Sequence, residues 1–516
     1  MTVRAVLGLL LLAIAARGLR SPGRAIRSTS TLQIPLWNRL STWWDGGEQQ
    51  KPSALPVPDT STQTTTSKKK NDYRETIIVG AGMAGLSCAT YLQRFGYKNM
   101  LVLEADSGPG GRVRTDSHPE GYLLDRGFQV FIEEYPEARR LIGNEGYSAL
   151  DLRQFRSGAL VYKDGALQTV SDPLRCPEDL VGSILSPVGS FVDKAKVGLY
   201  SMNSRFRESL DDVLARPETT TLSFLQERLQ LSEVMIDSFF KPFYQGIFLA
   251  PLEKQSSRLF EFVFKMFASG AAALPAEGMG KVASRVAGEL GEGVVVYNVG
   301  VSGISRKDDK TWTVTTSASG GADYDCSNLV LATDPEAFKR LISAGAAGST
   351  DGSIPEGRAS LCLYYGLDDK DLPPEANSPT LILNGELGTG GIARVNNVCF
   401  PSLVAPKYAP KGKHLCSVTI VGASNAELHE VVLDSAVRQQ LGDWWGHDRI
   451  KAWKLLRTYR IPYAQPAQTP PYALERPVKT QESGLYVCGD HRGTATLNGA
   501  IRSGRLVAQS IIKLYV

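Results

Sequence analysis

Thr76-Ile77-Ile78-Val79-Gly80-Ala81-Gly82-Met83-Ala84-Gly85 decides the fold. It runs into a helical pattern to Phe95, a stop at Gly96, and a second apolar run, Met100-Leu101-Val102-Leu103, closed by Glu104-Ala105. Two short apolar runs on either side of a glycine turn and a 3.6-period segment give a strand, a turn, a helix and a second, parallel strand. Gly80 permits the tight turn, Gly82 lets backbone approach a pyrophosphate, and Gly85 lets the helix lie close to its strand. Ala81, Met83 and Ala84 complete that turn. Its helix start offers unpaired N–H groups and the positive end of a dipole to an anion. Glu104 follows Gly85 by 19 residues, near the offset of about 20 at which a carboxylate meets ribose hydroxyls. A carboxylate there repels a 2′-phosphate, so NADP is disfavoured. NAD and FAD both remain open, because their adenosine halves dock alike.

The chain of 516 residues is long enough for two or three domains around a sizeable core. Its net charge of +4 is carried by the start: residues 1–72 hold ten Lys or Arg and four acids, leaving the remainder at −2. Net charge therefore gives no reason to expect nucleic acid as a partner. The seven cysteines show no CxxC spacing and read as buried free thiols of a reducing compartment. The five histidines form no HxxxH pair, and no metal is expected.

Residues 1–44 contain no acid; Arg4 precedes an apolar run, Ala5 to Ala16, and an Arg/Ser-rich stretch follows to Arg39. The run is shorter than the roughly 20 residues a bilayer span requires. It reads as a signal-peptide core with Ala13-Ile14-Ala15 as a cleavage site, followed by a transit-like segment. Two such signals in series imply import into a plastid reached through the secretory system; a mitochondrial presequence or an unremoved anchor is the alternative. Residues 45–72 are rich in Pro, Ser, Thr, Gln and Lys, with no aromatic between Trp44 and Tyr73. Such a segment cannot bury enough apolar surface to order itself and reads as a linker.

Directly after Glu104-Ala105 comes Asp106-Ser107-Gly108-Pro109-Gly110-Gly111-Arg112. Adjacent glycines before a permanently charged, forked guanidinium let Arg112 reach the pyrophosphate that Gly82 approaches. With this element the chain resembles the FAD-dependent flavin amine oxidase superfamily, which includes phytoene desaturases, carotenoid isomerases and protoporphyrinogen oxidases. The glycine turn, the acidic residue and a Gly-Gly-Arg follow one another there at this spacing. The resemblance implies non-covalent FAD and an α/β fold: a discontinuous Rossmann-like FAD-binding domain with an inserted helical and α+β substrate domain. It also places Gly127, Phe128 and Gln129, within Asp125-Arg126-Gly127-Phe128-Gln129-Val130, beside the isoalloxazine ring.

The organisation implied is an FAD-binding part at 73–150, a helical insertion at 151–275, a second FAD-binding part at 276–344, a strand-rich second insertion at 345–475, and a closing FAD-binding part at 476–516. In the helical insertion, Leu259 to Met266 and Phe267 form the most aromatic stretch; Phe260, Phe264 and Phe267 share one helical face. A core helix is the first reading and the lining of a channel for a greasy substrate the second. Few basic residues flank it, so lying on a membrane surface is disfavoured for this stretch, and peripheral membrane association stays open. In the second part, Ala276-Glu277-Gly278-Met279-Gly280 opens a short helix, and the resemblance sets the backbone of Val301 against the adenine. In the second insertion, Tyr364 and Tyr365 face opposite sides of a strand, and Tyr459 to Pro466 is extended and proline-fixed. At the end, Gly489-Asp490 closes a strand with a carboxylate at the ribityl chain. The helix near Asn498-Gly499-Ala500 aims its positive end at the flavin.

The resemblance implies hydride transfer from a substrate carbon to the flavin N5, with the protein supplying placement, water exclusion and electrostatics. No catalytic base stands out. Amine-oxidising relatives carry an aromatic cage residue where this chain has Thr496, and the covalent-flavin cysteine motif is absent. Desaturation or isomerisation of a hydrophobic, carotenoid-like isoprenoid is therefore the first expectation. An amine or porphyrinogen oxidase using O2, and a flavin-binding protein without turnover, are the alternatives.

Overall fold

The computed structural model describes residues 71–317, 323–344, 355–388, 393–422 and 427–514. The expected targeting segment at 1–44, and all but the last two residues of the expected linker, lie outside the described residues. Asn71 and Asp72, expected in the linker, belong to the folded chain. Asn71 donates to Asp325 Oδ1 at 3.1 Å, and the first strand begins at Asp72 because it pairs over its full length with a later one.

The opening elements follow the glycine-turn reading: β1 (Asp72–Val79), α1 (Met83–Arg94) and β2 (Met100–Leu103). Ile77, Ile78 and Val102 are fully buried, as apolar strands sandwiched on both faces must be. After α2 (Pro136–Ala149) come two strands, β3 (Gly158–Lys163) and β4 (Ala166–Ser171), in a region expected to be helical. Asp164 and Gly165 both have positive φ, the geometry of a two-residue hairpin turn. Helices α3 (Leu180–Leu185), α4 (Phe191–Phe206) and α5 (Ser257–Ser269) then supply the expected helical character.

The chain returns to the first sheet through α6 (Gly280–Ala287), β5 (Val295–Val296), β6 (Val301–Arg306), β7 (Trp312–Thr316) and β8 (Tyr324–Leu331). It leaves again for β9 (Gly357–Asp368), β10 (Leu381–Asn384), β11 (Val395–Cys399), β12 (Lys413–Val421), α7 (Glu430–Trp445) and β13 (Lys454–Pro466). It closes with β14 (Leu485–Val487) and α8 (Leu497–Ile512).

Two seven-stranded sheets result. The first runs β5-β2-β1-β8-β7-β6, with β14 added beside β8. Strands β5, β2, β1, β8 and β14 are parallel, and β6 and β7 form an antiparallel edge. The second runs β13-β9-β12-β11-β10-β3-β4. The β3–β4 hairpin reaches this sheet through a parallel pairing with β10, so both insertions build one sheet.

Tyr364 and Tyr365 do face opposite sides of β9. Tyr364 packs edge-on to Tyr459, whereas Tyr365 donates to Asp434 Oδ1 at 2.8 Å on the α7 side. The phenylalanine-rich helix α5 is core: Phe260, Phe262 and Met266 are buried, and Phe260 meets Phe224, Phe240, Tyr244 and Phe264 in one aromatic cluster. Phe264 and Phe267 are half-buried against the same cluster. All seven cysteines are buried and unpaired.

Candidate flavin site

The site forms where β1, β2 and β8 end. An added Cβ on Gly85 would collide with Gly80 O, and one on Gly80 would stand 2.8 Å from Ala332 O. These two glycines are therefore required by helix, turn and strand packing. Gly82 differs: nothing lies within 4 Å of a Cβ built there. It precedes α1 with no side-chain cap and no acid in the first turn, leaving a cradle and a positive helix end for an anion. Met83 and Ala84 are buried behind it.

Glu104 is held from two sides. Its Oε2 accepts from Ala81 N at 2.7 Å and its Oε1 from Asp106 N at 2.9 Å. The backbone beyond it carries the next element, since Val299 N donates to Glu104 O at 2.8 Å. A Cβ on Gly300 would be 3.8 Å from Ala105 Cβ. Ala105 and the start of β6 at Val301 are thus neighbours, although β6 is the far edge of the sheet.

The second glycine pair lies on the first. Gly110 bridges Gly82, Gly110 N donates to Ala81 O at 2.9 Å, and a Cβ on Gly111 would be 3.6 Å from Gly82 Cα. Arg112, expected at the pyrophosphate, has partners within the chain. Its Nη1 and Nη2 each donate to an oxygen of Asp490 at 2.8 Å, and Nη1 also donates to Ala464 O at 2.8 Å. The guanidinium expected at the pyrophosphate and the carboxylate expected at the ribityl chain are partners of each other. Chain closure brings the two opposite charges together, and a fork and a carboxylate pair in two parallel bonds. Burial works against the Arg112 charge, and the Asp490 carboxylate outweighs it, holding the guanidinium above its ordinary value.

Gly127, expected beside the flavin ring, also meets a neighbour within the chain. With φ +88, its missing side chain makes room for Ile461 of β13, whose Cδ1 would be 2.6 Å from a Cβ. Phe128 packs edge-on to Phe155. Gln129 Nε2 donates to Arg112 O at 2.8 Å and to Arg126 O at 3.1 Å, fixing the backbone on which the Arg112 side chain is mounted.

At the closing end, Gly489 N donates to Ser503 Oγ at 2.9 Å, and Ser503 Oγ donates to Ala500 O at 2.7 Å. Thr496 caps α8 by accepting from Gly499 N at 3.0 Å. Asn498 is turned to a structural use, its Oδ1 accepting from Glu137 N at 2.9 Å. A Cβ on Gly504 would collide with Ala84 O, so α8 lies directly on α1. Gly499 is likewise packed tightly, against Thr494.

Several residues here were not among those expected to bind the cofactor. The Tyr463 ring lies beside Arg112, 5.9 Å from ring centre to guanidinium carbon. Tyr463 Oη and Thr333 Oγ1 are buried without a hydrogen-bond partner among the described residues. Asp125 is buried and accepts from Met279 N at 3.0 Å, Tyr408 Oη at 2.7 Å and Thr115 Oγ1 at 2.5 Å. Burial drives its pKa up to about 6 against these three bonds. His491, also buried, is driven the other way by burial, down to about 4, with Asp490 opposing. Glu137 and Arg505 form a buried two-pronged ion pair at 2.7 and 2.8 Å between α2 and α8. No group of His, Cys, Asp and Glu among the described residues could hold a metal.

An open cradle at a helix start, a carboxylate anchored at the end of β2, and orphaned polar atoms at Tyr463 and Thr333 fit a bound dinucleotide. With a dinucleotide bound, Gly80 to Gly85, Gly110 and Gly111 would flank the pyrophosphate, Glu104 would take the ribose, and the first turn of α8, free of acids, would face the flavin end.

Over 132 residues the chain is 29% identical to the chloroplastic/chromoplastic 15-cis-phytoene desaturase of Narcissus pseudonarcissus, covering 25% of this chain and 23% of that protein. The chain thus matches about a quarter of that relative's length. Among solved structures, it is similar to a putative protoporphyrinogen oxidase from Exiguobacterium sp. 255-15, with a TM-score of 0.61, 16% identity, and coverage of 85% of this chain and 98% of that one. Cyclohexylamine oxidase from Brevibacterium oxydans IH-35A gives a TM-score of 0.59 at 16% identity, over 86% of this chain and 99% of that one. These likenesses show a shared fold. Residues 83–512 match the family described as flavin containing amine oxidoreductase, and the chain belongs to that family, with FAD as its cofactor.

Proposed function

We propose that this flavoenzyme desaturates or isomerises a hydrophobic isoprenoid of carotenoid type. Thr496 carries the reading. Amine-oxidising relatives place an aromatic cage residue at this position. Here a hydroxyl stands there and is spent on capping α8, so nothing at this position holds an amine by its charge. The matched stretch of phytoene desaturase supports the same branch.

Bound FAD supplies the hydride acceptor, at its N5, for a substrate C–H. The chain supplies the surroundings. Gly82 and the start of α1 take the pyrophosphate, and Glu104 takes the ribose. The Arg112–Asp490 pair, tied to Ala464 O, joins the nucleotide domain to β13 of the second sheet. That strand carries Tyr459 and Tyr463, and Tyr463 Oη is free to meet a polar atom. Plastid residence belongs to the proposal and is supported by the acid-free start of the chain.

Anaerobic mixing of the purified protein with carotenoid, amine and porphyrinogen panels tests the reading. Bleaching by a carotenoid precursor alone supports it. Bleaching by an amine or porphyrinogen, with peroxide released on readmitting oxygen, moves the protein to the oxidase branch. Flavin that stays oxidised throughout points to a binding protein without turnover. A fluorescent fusion of residues 1–60 that remained diffuse in the cytosol would count against the plastid.

A further inference from the structure

Three buried oxygens without a hydrogen-bond partner among the described residues lie together on one face of the second sheet: Asn396 Oδ1, Asn397 Oδ1 and Thr419 Oγ1. Their residues are 1%, 3% and 3% exposed. A buried polar atom left unpaired costs free energy comparable to a lost hydrogen bond. Three in one place call for a partner.

The backbone explains how they come together. Asn397 of β11 is the register partner of Thr419 of β12, so their side chains share a side of the sheet. Neighbouring residues of a regular strand point to opposite sides. The register of β11 shifts between Val395 and Asn397, and such an irregularity re-aims a side chain, so Asn396 joins Asn397. Both amides converge on Gly246 of the helix Lys241–Phe248: a Cβ there would stand 2.6 Å from Asn397 Nδ2 and 2.7 Å from Asn396 Nδ2. Glycine at 246 is what lets this helix close over the two amides.

The cluster lies on the side of the sheet that faces the flavin site. Thr419 is also the register partner of Cys362 in β9, and Cys362 that of Tyr459 in β13. The Cys362 thiol meets the backbone of Phe128, the neighbour of Gly127. With strands about 4.8 Å apart, Thr419 and Asn397 stand roughly 5 and 10 Å along the sheet from Cys362. A second path leads to the same place. Arg112 holds Ala464 O; the next residue, Gln465, donates from Nε2 to Ile247 O at 2.8 Å, and Ile247 follows Gly246.

The chemistry of the three oxygens selects what they meet. Asn396 Nδ2 donates to Pro242 O at 2.8 Å, which fixes that amide and leaves its Oδ1 as an acceptor. Asn397 Oδ1 is a second acceptor, and the Thr419 hydroxyl turns to suit. No member of the cluster is bonded to a charged side chain among the described residues. An ammonium brought here would lose its water and gain no counter-charge. A neutral O–H donor avoids that cost, whereas a pure hydrocarbon would leave all three oxygens unpaired.

We propose that Asn396, Asn397 and Thr419 form a subsite for a hydroxyl group of the substrate, so that the isoprenoid this enzyme takes is an alcohol. The inference rests on the isoprenoid reading and narrows it.

The test measures anaerobic binding to the purified flavoprotein by perturbation of the flavin absorbance. The probes are geranylgeraniol, its methyl ether and the corresponding hydrocarbon without the oxygen, dispersed in one detergent. The unaltered chain should bind the alcohol about tenfold more tightly than the ether or the hydrocarbon. Thr419→Val and Asn397→Leu, each with full flavin absorbance as the sign of a folded chain, should lose that preference and bind the hydrocarbon as before. Equal binding of the three probes by the unaltered chain, or a preference for the alcohol that both variants keep, would overturn the subsite and leave the isoprenoid reading standing. Water would then be what meets the oxygens. A flavoprotein that none of the three probes perturbs would overturn both.

Discussion

Arg112 and Asp490, 378 residues apart in the chain, meet in a two-pronged ion pair at 2.8 Å, and the same Arg112 nitrogen that reaches Asp490 Oδ2 also holds Ala464 O. One guanidinium therefore ties the first part of the nucleotide domain to its last part and to β13. Replacing it by an uncharged chain of similar length removes all three bonds while keeping its bulk. Charge-assisted bonds of this kind contribute about 1.5–3 kcal/mol. Arg112→Met should accordingly weaken FAD binding by about tenfold to a hundredfold. Titration of the apoprotein by flavin fluorescence checks this, and unchanged affinity would remove Arg112 from the site.

Asp125 and His491 make opposed contributions to pH dependence. Folding raises the Asp125 pKa to about 6, so the folded state holds a proton the unfolded chain has released. That stabilisation is full below the unfolded value near 4 and is lost as pH rises to 6. Folding lowers the His491 pKa to about 4, so its neutral form is favoured and stability falls as pH drops from about 6.5 to 4. Each amounts to about 3 kcal/mol, and over this window they cancel. Relative to the unaltered protein, Asp125→Asn should gain stability between pH 4 and 6.5, and His491→Gln should lose it. Denaturant midpoints at the two pH values measure both, and shifts of the same sign in the two variants would contradict the pairing.

Glu137 and Arg505 bind α2 to α8 in a site where the glutamate is 1% exposed. Removing one partner strands a buried charge at a cost of about 3–5 kcal/mol, whereas replacing both by apolar groups is far milder. Arg505→Met should be strongly destabilised, less any support from Arg140, which lies 3.2 Å from Glu137 Oε1. Glu137→Leu/Arg505→Met should recover much of the loss. A double variant as unstable as the sum of the single ones would show that the pair contributes nothing beyond its parts.

The nucleotide core was legible because its signals are local: the turn glycines, the start and stop of α1 and the position of Glu104 all lie within a few turns of chain. The β3–β4 hairpin was also written in the sequence, as Asp164-Gly165 between alternating residues, and was lost inside a region whose dominant period is helical. The Glu137–Arg505 pair leaves no sequence signal, since its partners are 368 residues apart. The same holds for Gly127: a glycine says that space or a positive φ is needed, and only the fold shows that Ile461 takes the space. The exposure of Phe191, Leu199 and Phe206 on α4 was equally hidden, because an amphipathic pattern shows two faces and not which of them is covered.

The account stands on Gly82, the one glycine of the turn with open space where its side chain would be. Its backbone angles, φ −68° and ψ 171°, are open to any residue, so Gly82→Leu should fold. The decisive measurement is the FAD released by heat from purified unaltered protein and from Gly82→Leu, each shown to be folded by its unfolding transition. The account predicts stoichiometric FAD from the first and a folded, colourless second. Full flavin in Gly82→Leu, or a folded unaltered protein that takes up no FAD, would contradict it.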